Sequence, residues 1–217
     1  EKDISSANMS KPAIGMKYSK VIFVGDSRTA GMKATLNKQV SSSVTSDVSF
    51  IAKAGQGLSW FQSTGYTQLI NEINKTKGSK PIAVVFNLGI NDMANISNYI
   101  SYMSDIASTL KSKNCKLFYM SVNPINSVMI TKAGKGARTE AQVREFNSKI
   151  RSGLSLNYKY IDTYSVLMKK GYGTNSSYSG TDAASDDGLH YTTKTFKRIY
   201  YYCITYLNTG SIDASIY

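Results

Sequence analysis

Residues that commonly bind metals or form cross-links are scarce in this chain. It contains one histidine and two cysteines in 217 residues. Cys115 and Cys203 allow at most one disulfide, and because both lie in apolar segments we expect buried free thiols. There is no CxxC pair and no cluster of cysteine with histidine, so we expect no zinc site, no other metal and no cofactor.

Long apolar runs are also missing. No stretch approaches the ~18 consecutive apolar residues of a membrane-spanning helix, so we expect no transmembrane segment. No signal peptide is recognisable, and because the chain starts without methionine, the removal of a leader stays open. Abundant tyrosine, serine and asparagine are common in secreted bacterial proteins, and we therefore expect a secreted or cell-surface protein.

Negative charge is in short supply as well. The chain has 14 acidic residues against 26 lysines and arginines, which gives a net charge of +12. The lysines are spread over several short loops and no nucleic-acid-binding motif accompanies them, so we expect no nucleic-acid partner. Two interpretations of the charge stay open: a solvated basic surface, or electrostatic association with an anionic cell wall.

Apolar runs of strand length alternate along the chain with segments whose apolar residues have helical spacing. This alternation occurs five times and predicts a parallel sheet with helices on both faces, in a single α/β domain. We assign residues 1–18 to an N-terminal arm and residues 19–217 to the domain. The predicted strands are residues 20–24, 47–52, 81–86, 115–122 and 158–162.

Two segments are predicted to be loops with a role at a site. Residues 127–136 contain glycine and lysine, and we expect them to form a mobile rim. Residues 171–185 are polar and glycine-rich, and long loops of this kind often carry function.

A serine follows the first predicted strand at a position suited to a nucleophile. Apolar residues 21–24 run into Gly-Asp-Ser at residues 25–27, where a helix is predicted to start. Ser27 then lies between the carboxyl end of a strand and the amino end of a helix. There, free backbone N–H groups and the helix dipole favour developing negative charge. Ser27 is therefore a candidate nucleophile.

Three further stretches lie at predicted strand ends or just before a helix. They are Gly-Gln-Gly at residues 55–57, Gly-Ile-Asn-Asp at residues 89–92 and Asp-Gly-Leu-His at residues 187–190. In open α/β sheets, sites form at this edge. Together with Gly-Asp-Ser, the stretches resemble the sequence blocks of the SGNH (GDSL-type) hydrolases, in the same order. The resemblance implies a flavodoxin-like, three-layer α/β/α sandwich with a five-stranded parallel sheet.

The resemblance also implies a catalytic triad. Ser27 is then the nucleophile, His190 the base that takes its proton, and Asp187 the acid that orients the imidazole. His190 is the only histidine of the chain, so no other histidine competes for this role.

The same resemblance implies an oxyanion hole with three donors. They are the Ser27 backbone N–H, the Asn91 side-chain amide and a glycine N–H after the second strand. We assign the glycine to Gly55, which follows that strand more directly, while Gly57 stays an alternative and a candidate for substrate binding.

Three charged residues beside these blocks are open to two interpretations. Arg28 departs from the family, in which an aliphatic residue commonly follows the serine. Its guanidinium either binds a substrate carboxylate or phosphate, or turns away and pairs with an acidic neighbour. Asp26 and Asp92 either tie neighbouring loops together or form a carboxylate pair for glycoside cleavage.

The function predicted from these observations is that of a serine esterase acting through an acyl-enzyme intermediate. Its expected substrate is a small-molecule or polysaccharide ester, with O-acetyl groups on a carbohydrate or cell-wall polymer favoured. One alternative is an O-acyltransferase that uses the same triad. Another is a non-catalytic surface or carbohydrate-binding module with a vestigial site.

Overall fold

The computed structural model describes residues 17–215 of the chain. Most of the predicted N-terminal arm, residues 1–18, lies outside this range. Within it, Tyr18 is buried and packs edge to face on Phe118, with ring centroids 6.4 Å apart. The chain therefore joins the core just before the first strand begins.

A five-stranded parallel sheet organises the domain, with strand order β2-β1-β3-β4-β5. The chain runs from β1 to one side of the sheet and returns to the other side for β3. Such a change of direction opens a crevice outside the carboxyl ends of the two strands. The strands are β1 (Lys20–Gly25), β2 (Val48–Ala52), β3 (Ile82–Asn87), β4 (Cys115–Met120) and β5 (Lys159–Ile161).

Helices cover both faces of this sheet. A π-helical segment, Phe61–Gly65, joins the second helix to the third. The helices are α1 (Ser27–Gln39), α2 (Leu58–Trp60), α3 (Tyr66–Lys75), α4 (Ile96–Ser112), α5 (Ser127–Lys132), α6 (Glu140–Gly153), α7 (Thr163–Lys170) and α8 (Thr193–Thr209). Helices α1, α7 and α8 pack on one face, whereas α2, α3, α4 and α6 pack on the other.

The core is divided between these two faces by the alternation of side chains along the strands. On β1, Val21 and Phe23 belong to one apolar cluster and Ile22 and Val24 to the other. All residues of β3 are buried. Strands covered on both faces are apolar throughout, which explains why they appear in the sequence as unbroken apolar runs.

The segment predicted as a mobile rim, residues 127–136, is partly helical. Helix α5 begins after Asn126, whose side chain accepts a hydrogen bond from the Met129 N–H, and Ile130 is fully buried. A helix of six residues with one buried apolar side chain has too little periodicity to be recognised from the sequence.

The long loop after α7 contains a short antiparallel pair of strands, β6 (Thr174–Asn175) and β7 (His190–Tyr191). This pair brings the end of the loop back to the sheet edge immediately before α8. The loop predicted to carry function is therefore anchored at both ends.

Both cysteines are buried free thiols, as predicted. Burial raises the pKa of the Cys115 thiol to about 11, so this group stays protonated and unreactive at neutral pH. Among the helices of residues 17–215, none combines the length and the apolar character that a membrane crossing requires.

Candidate active site at the carboxyl edge of the sheet

The end of β1 presents Ser27 as the first residue of α1. Gly25 ends the strand, and a Cβ there would lie 1.9 Å from the Thr29 Oγ1, so only glycine allows this tight turn. Asp26 caps the helix, because its Oδ1 accepts the Arg28 N–H at 2.9 Å. Ser27 thereby lies at the helix N-terminus, where the backbone N–H groups have no intrahelical acceptor.

Ser27, His190 and Asp187 form a continuous hydrogen-bonded chain. The His190 Nε2 lies 2.9 Å from the Ser27 Oγ, and the His190 Nδ1 lies 2.7 Å from the Asp187 Oδ2. The three residues are almost fully buried. The fold thus joins two sequence blocks that are 163 residues apart in the chain.

The Asp187 carboxylate is fixed by hydrogen bonds around it. Its Oδ1 accepts the backbone N–H groups of Leu189 and His190, each at 2.9 Å. Burial by itself raises the pKa of Asp187, but the side-chain and backbone hydrogen bonds from His190 outweigh burial and lower it to about 2. The carboxylate is therefore ionised at neutral pH. Its neighbour Asp186 accepts instead from the Thr174 hydroxyl, at 3.0 Å.

A tyrosine from the long loop lies over the His190 imidazole. The Tyr178 ring stacks on it with centroids 4.5 Å apart and 27° between the planes. Tyr178 is 41% exposed, so it is also available to a ligand. The pairing of Asn175 with His190 holds the start of this loop beside the histidine. Sequence reasoning missed Tyr178, because one tyrosine among 16 in the chain carries no positional signal.

The Asn91 side chain, which follows β3, is held by two partners. Its Nδ2 donates to the Gln56 carbonyl at 2.9 Å, and its Oδ1 accepts from the Arg138 Nη2 at 3.1 Å. Arg138 also donates from Nε to the Ile90 carbonyl at 2.8 Å. The amide thus bridges the turn after β2 and the segment before α6. Arg138 was not identified from the sequence, where a lone arginine after a loop has no distinguishing pattern.

The two glycines after β2 have different surroundings. Gly57 packs against the carboxylate of Asp92, since a Cβ there would lie 2.2 Å from Oδ2. The same Oδ2 accepts the Leu58 N–H at 2.9 Å, which fixes the start of α2. Gly55 is exposed, has a φ of 72° and has open space around its Cα. Gly57 is thus held against Asp92 whereas Gly55 has no close neighbour, and which of the two supplies the backbone donor stays a prediction.

Asp26 and Asp92 have separate structural partners. Asp26 caps α1 through the Arg28 N–H, whereas Asp92 accepts the Tyr99 hydroxyl at 2.6 Å and the Leu58 N–H. Burial raises the pKa of Asp26 to about 6, although the nearby Arg28 charge opposes this. Asp92 therefore ties neighbouring segments together, as in the first of the two interpretations, whereas Asp26 caps its own helix.

Arg28 does not reach a substrate, and this corrects its prediction as a substrate-binding residue. Only 4% of its surface is exposed. Its Nε, Nη1 and Nη2 donate to the carbonyls of Leu189 at 2.8 Å, Asn123 at 2.8 Å and Pro124 at 3.2 Å. The guanidinium also lies over the Tyr191 ring, 4.8 Å from its centroid. Arg28 turns away from the site, as the alternative held, but its partners are carbonyls rather than an acid.

The geometry is suited to acyl transfer. A serine hydroxyl is hydrogen-bonded to an imidazole, which is oriented by an ionised carboxylate, and an amide donor follows a neighbouring strand. Within residues 17–215, no group of three or more histidine, cysteine, aspartate or glutamate side chains is arranged to hold a metal ion.

Comparison with known proteins is consistent with this chemistry. A family model for GDSL-like lipase/acylhydrolase proteins matches residues 21–202. No curated protein matches the chain.

Solved structures share the fold at low sequence identity. A protein of Slackia heliotrinireducens named as an SGNH hydrolase is 12% identical, with a TM-score of 0.57 over 83% of this chain and 94% of that one. The acetyl xylan esterase AlAXEase is 16% identical, with a TM-score of 0.54 over 83% and 95%. The psychrotrophic esterase EstA from Pseudoalteromonas sp. is 12% identical, with a TM-score of 0.50 over 88% and 97%.

Proposed function

This chain belongs to the GDSL-like lipase/acylhydrolase family and is an ester-bond hydrolase, and we propose that it works as a serine esterase with a Ser27–His190–Asp187 triad. The observation that carries the proposal is the hydrogen-bonded chain from the Ser27 hydroxyl through the His190 imidazole to the Asp187 carboxylate. All three members are nearly buried, and the carboxylate is ionised, which is what the mechanism requires.

The reaction proceeds through two acyl transfers. The Ser27 Oγ attacks the ester carbonyl while the His190 Nε2, at 2.9 Å, takes its proton. The resulting imidazolium, stabilised by Asp187, gives that proton to the leaving alcohol as the C–O bond breaks. Water then attacks the acyl-enzyme with His190 again as base, and the carboxylic acid leaves as Ser27 regains its proton.

The negative charge of the tetrahedral intermediate is stabilised by three donors. We assign them to the Ser27 backbone N–H at the start of α1, the Asn91 side-chain amide and the Gly57 backbone N–H. The Ser27 N–H lies at a helix N-terminus, the Asn91 amide is fixed by its bond to the Gln56 carbonyl, and Gly57 is fixed against Asp92. Loss of one such donor typically lowers the rate by a factor of ~10²–10³.

The substrate we favour is an O-acetyl group on a carbohydrate or cell-wall polymer. Tyr178 offers a partly exposed aromatic face directly beside His190, on which the apolar face of a sugar ring can pack. The loop around it is rich in serine and threonine, which provide polar partners for sugar hydroxyls. In residues 17–215, the other exposed large apolar side chains lie apart from one another, at Val128, Leu156 and Met168. A lipase that works at a lipid interface has instead a continuous apolar surface.

The place of action that we propose is outside the cell or at its surface. The net charge of +12 favours association with an anionic cell wall, where an acetylated polymer would be within reach.

Hydrolysis of para-nitrophenyl acetate tests the nucleophile. We expect Ser27→Ala to reduce turnover to background, whereas Ser112→Ala, on the exposed end of α4, leaves it unchanged. Both variants should melt at the wild-type temperature. Turnover near the wild-type rate in a folded Ser27→Ala protein would contradict the serine mechanism.

A panel of acetylated oligosaccharides, acetylated peptidoglycan and short-chain aryl esters tests the substrate. We expect acetate release to be fastest from an acetylated saccharide. The same reactions run with an added sugar alcohol distinguish hydrolysis from transfer, since a transferase would form an acetylated acceptor at the expense of free acetate.

A further inference from the structure

An arginine outside the triad makes direct contact with the proposed oxyanion donor. Arg138 lies just before α6, and its guanidinium is forked between two consecutive residues after β3. Nε donates to the Ile90 carbonyl at 2.8 Å, and Nη2 donates to the Asn91 Oδ1 at 3.1 Å. A third bond, from Nη1 to the Gly136 carbonyl at 2.8 Å, anchors the arginine to its own segment.

These partners allow the Asn91 amide only one orientation. Arginine has donors and no acceptor, so the amide oxygen must face Arg138. The Gln56 carbonyl accepts and cannot donate, so the amide nitrogen must face Gln56, at 2.9 Å. An amide nitrogen carries two N–H groups. One is taken by Gln56, and the other is left for a bound oxyanion.

We propose that Arg138 is the positioning residue of the oxyanion hole, a role that rests on the proposed function. It holds the Asn91 side chain with its N–H toward the reacting carbonyl and prevents the flipped arrangement, in which an amide oxygen would repel the oxyanion. A second effect of Arg138 also strengthens the hydrogen bond from Asn91 to the oxyanion. A cation bound to the amide oxygen draws electron density from the nitrogen and makes the remaining N–H a stronger donor.

The arrangement is selective for the transition state. The charge on the substrate oxygen develops only as Ser27 attacks, so the donor that Arg138 aligns gains strength mainly at that stage. Loss of Arg138 is therefore expected to lower kcat and to leave KM for a neutral ester nearly unchanged.

A double-mutant cycle with Asn91 tests this proposal against a merely structural role. The variants are Arg138→Met, Asn91→Ala and the two combined, assayed on a neutral fluorogenic acetate ester. Arg138→Met keeps much of the side-chain volume and removes all five donors. Because hydrogen bonds to charged groups are among the stronger ones, we expect its kcat to fall by roughly tenfold to a hundredfold. Asn91→Ala is expected to lose about 10²–10³.

The decisive result is the effect of Arg138→Met when Asn91 is already alanine. If Arg138 acts through Asn91, the double variant should be as active as Asn91→Ala alone, within about a factor of two. A further loss of tenfold or more in the double variant would overturn the proposal, because it would mean that Arg138 acts by another route. An unchanged kcat in Arg138→Met with Asn91 intact would overturn it as well.

Three controls separate this result from misfolding and from failure of the proposed function. Arg151→Met removes an arginine of α6, the helix that follows Arg138. The Arg151 guanidinium stacks on Tyr160, so this variant should keep the wild-type kcat. Arg138→Lys keeps the charge but not the fork, so its kcat should lie between those of wild type and Arg138→Met. Thermal melting of every variant shows whether a loss of activity reflects unfolding.

The proposed serine mechanism is tested separately by Ser27→Ala. If that variant is inactive and Asn91→Ala retains full activity, the mechanism stands but the Arg138 proposal fails. If Ser27→Ala remains active, the proposed function itself fails.

Discussion

Replacing Arg28 should weaken the fold and leave substrate binding unchanged. The residue follows the proposed nucleophile Ser27 in sequence, but its side chain is buried behind the site and connects the segment after β4 to the one before β7. Arg28→Met removes the three hydrogen bonds to the Leu189, Asn123 and Pro124 carbonyls while filling most of the space. The Leu189 and Asn123 carbonyl oxygens then stay buried without a donor, whereas the Pro124 carbonyl still accepts the Tyr191 hydroxyl.

The expected loss follows from the cost of such groups. One buried acceptor without a partner costs about 1–3 kcal/mol, so two of them set a range of roughly 2–6 kcal/mol. The two sites are neighbours and will relax together, so we expect the free energy of unfolding to fall by about 2–4 kcal/mol. For a domain of this size, ~1 kcal/mol corresponds to about 2–4 °C in Tm, which predicts a decrease of roughly 4–16 °C.

Urea unfolding and ester hydrolysis measure the two sides of this prediction. Arg28→Lys retains part of the bonding and should lose about half as much stability as Arg28→Met. Lys33→Met, an exposed position on the same helix, should change stability by less than about 0.5 kcal/mol. For the folded Arg28→Lys protein, KM should match the wild type for a neutral ester and for one carrying a carboxylate.

The opposite pattern would refute the reasoning. If Arg28→Lys melted at the wild-type temperature and its KM rose tenfold for the carboxylate-bearing ester alone, Arg28 would be a substrate-binding residue. The Arg28 side chain would then have to leave its buried position when substrate binds.

Two further predictions concern the turns around the site. The pKa of Asp26 is raised from 3.8 to about 6 by burial, so the stability linked to its protonated form is complete below pH 3.8 and is lost as the pH rises through 6. Relative to Asp26→Asn, the free energy of unfolding of the wild type should therefore fall by about 2.5 kcal/mol between pH 4 and pH 8, as measured by urea unfolding, and a constant difference would contradict this. Gly57→Ala places a Cβ 2.2 Å from the Asp92 Oδ2 and should lower kcat at least about tenfold, as expected for a disturbed oxyanion donor. In Gly55→Ala the added Cβ meets no atom within 4 Å, so kcat should be nearly unchanged. Its φ of 72° should cost only about 1–2 kcal/mol of stability. Equal losses of kcat in Gly57→Ala and Gly55→Ala would refute the distinction between the two glycines.

The order of strands and helices was predictable because strands buried on both faces leave unbroken apolar runs. The observed strand β3 (Ile82–Asn87) differs from the predicted residues 81–86 by one residue at each end. Helix α5 (Ser127–Lys132) was missed because a short helix with a single buried apolar residue leaves almost no periodic signal. Element boundaries and short helices depend on local capping and packing, which composition describes poorly.

The blocks that supply the proposed triad were recognisable because their chemistry is local. A glycine is needed at the turn after β1, a serine follows at the helix start, and Asp187 lies three residues before the only histidine. The structure brings these groups to hydrogen-bonding distance at the edge where the sequence placed them.

By itself, the sequence determined the class of chemistry, since residue types, their spacing and their positions at strand ends can be read directly from the chain. Tertiary structure alone decided which way each neighbouring side chain points. Arg28 faces carbonyls as far as 161 residues away in the chain, Arg138 reaches an amide 47 residues before it, and Tyr178 covers the imidazole from the middle of a loop. The physical reason is that a side chain's partners are set by long-range packing and by the need to satisfy buried polar groups, and neither is written in the adjacent residues.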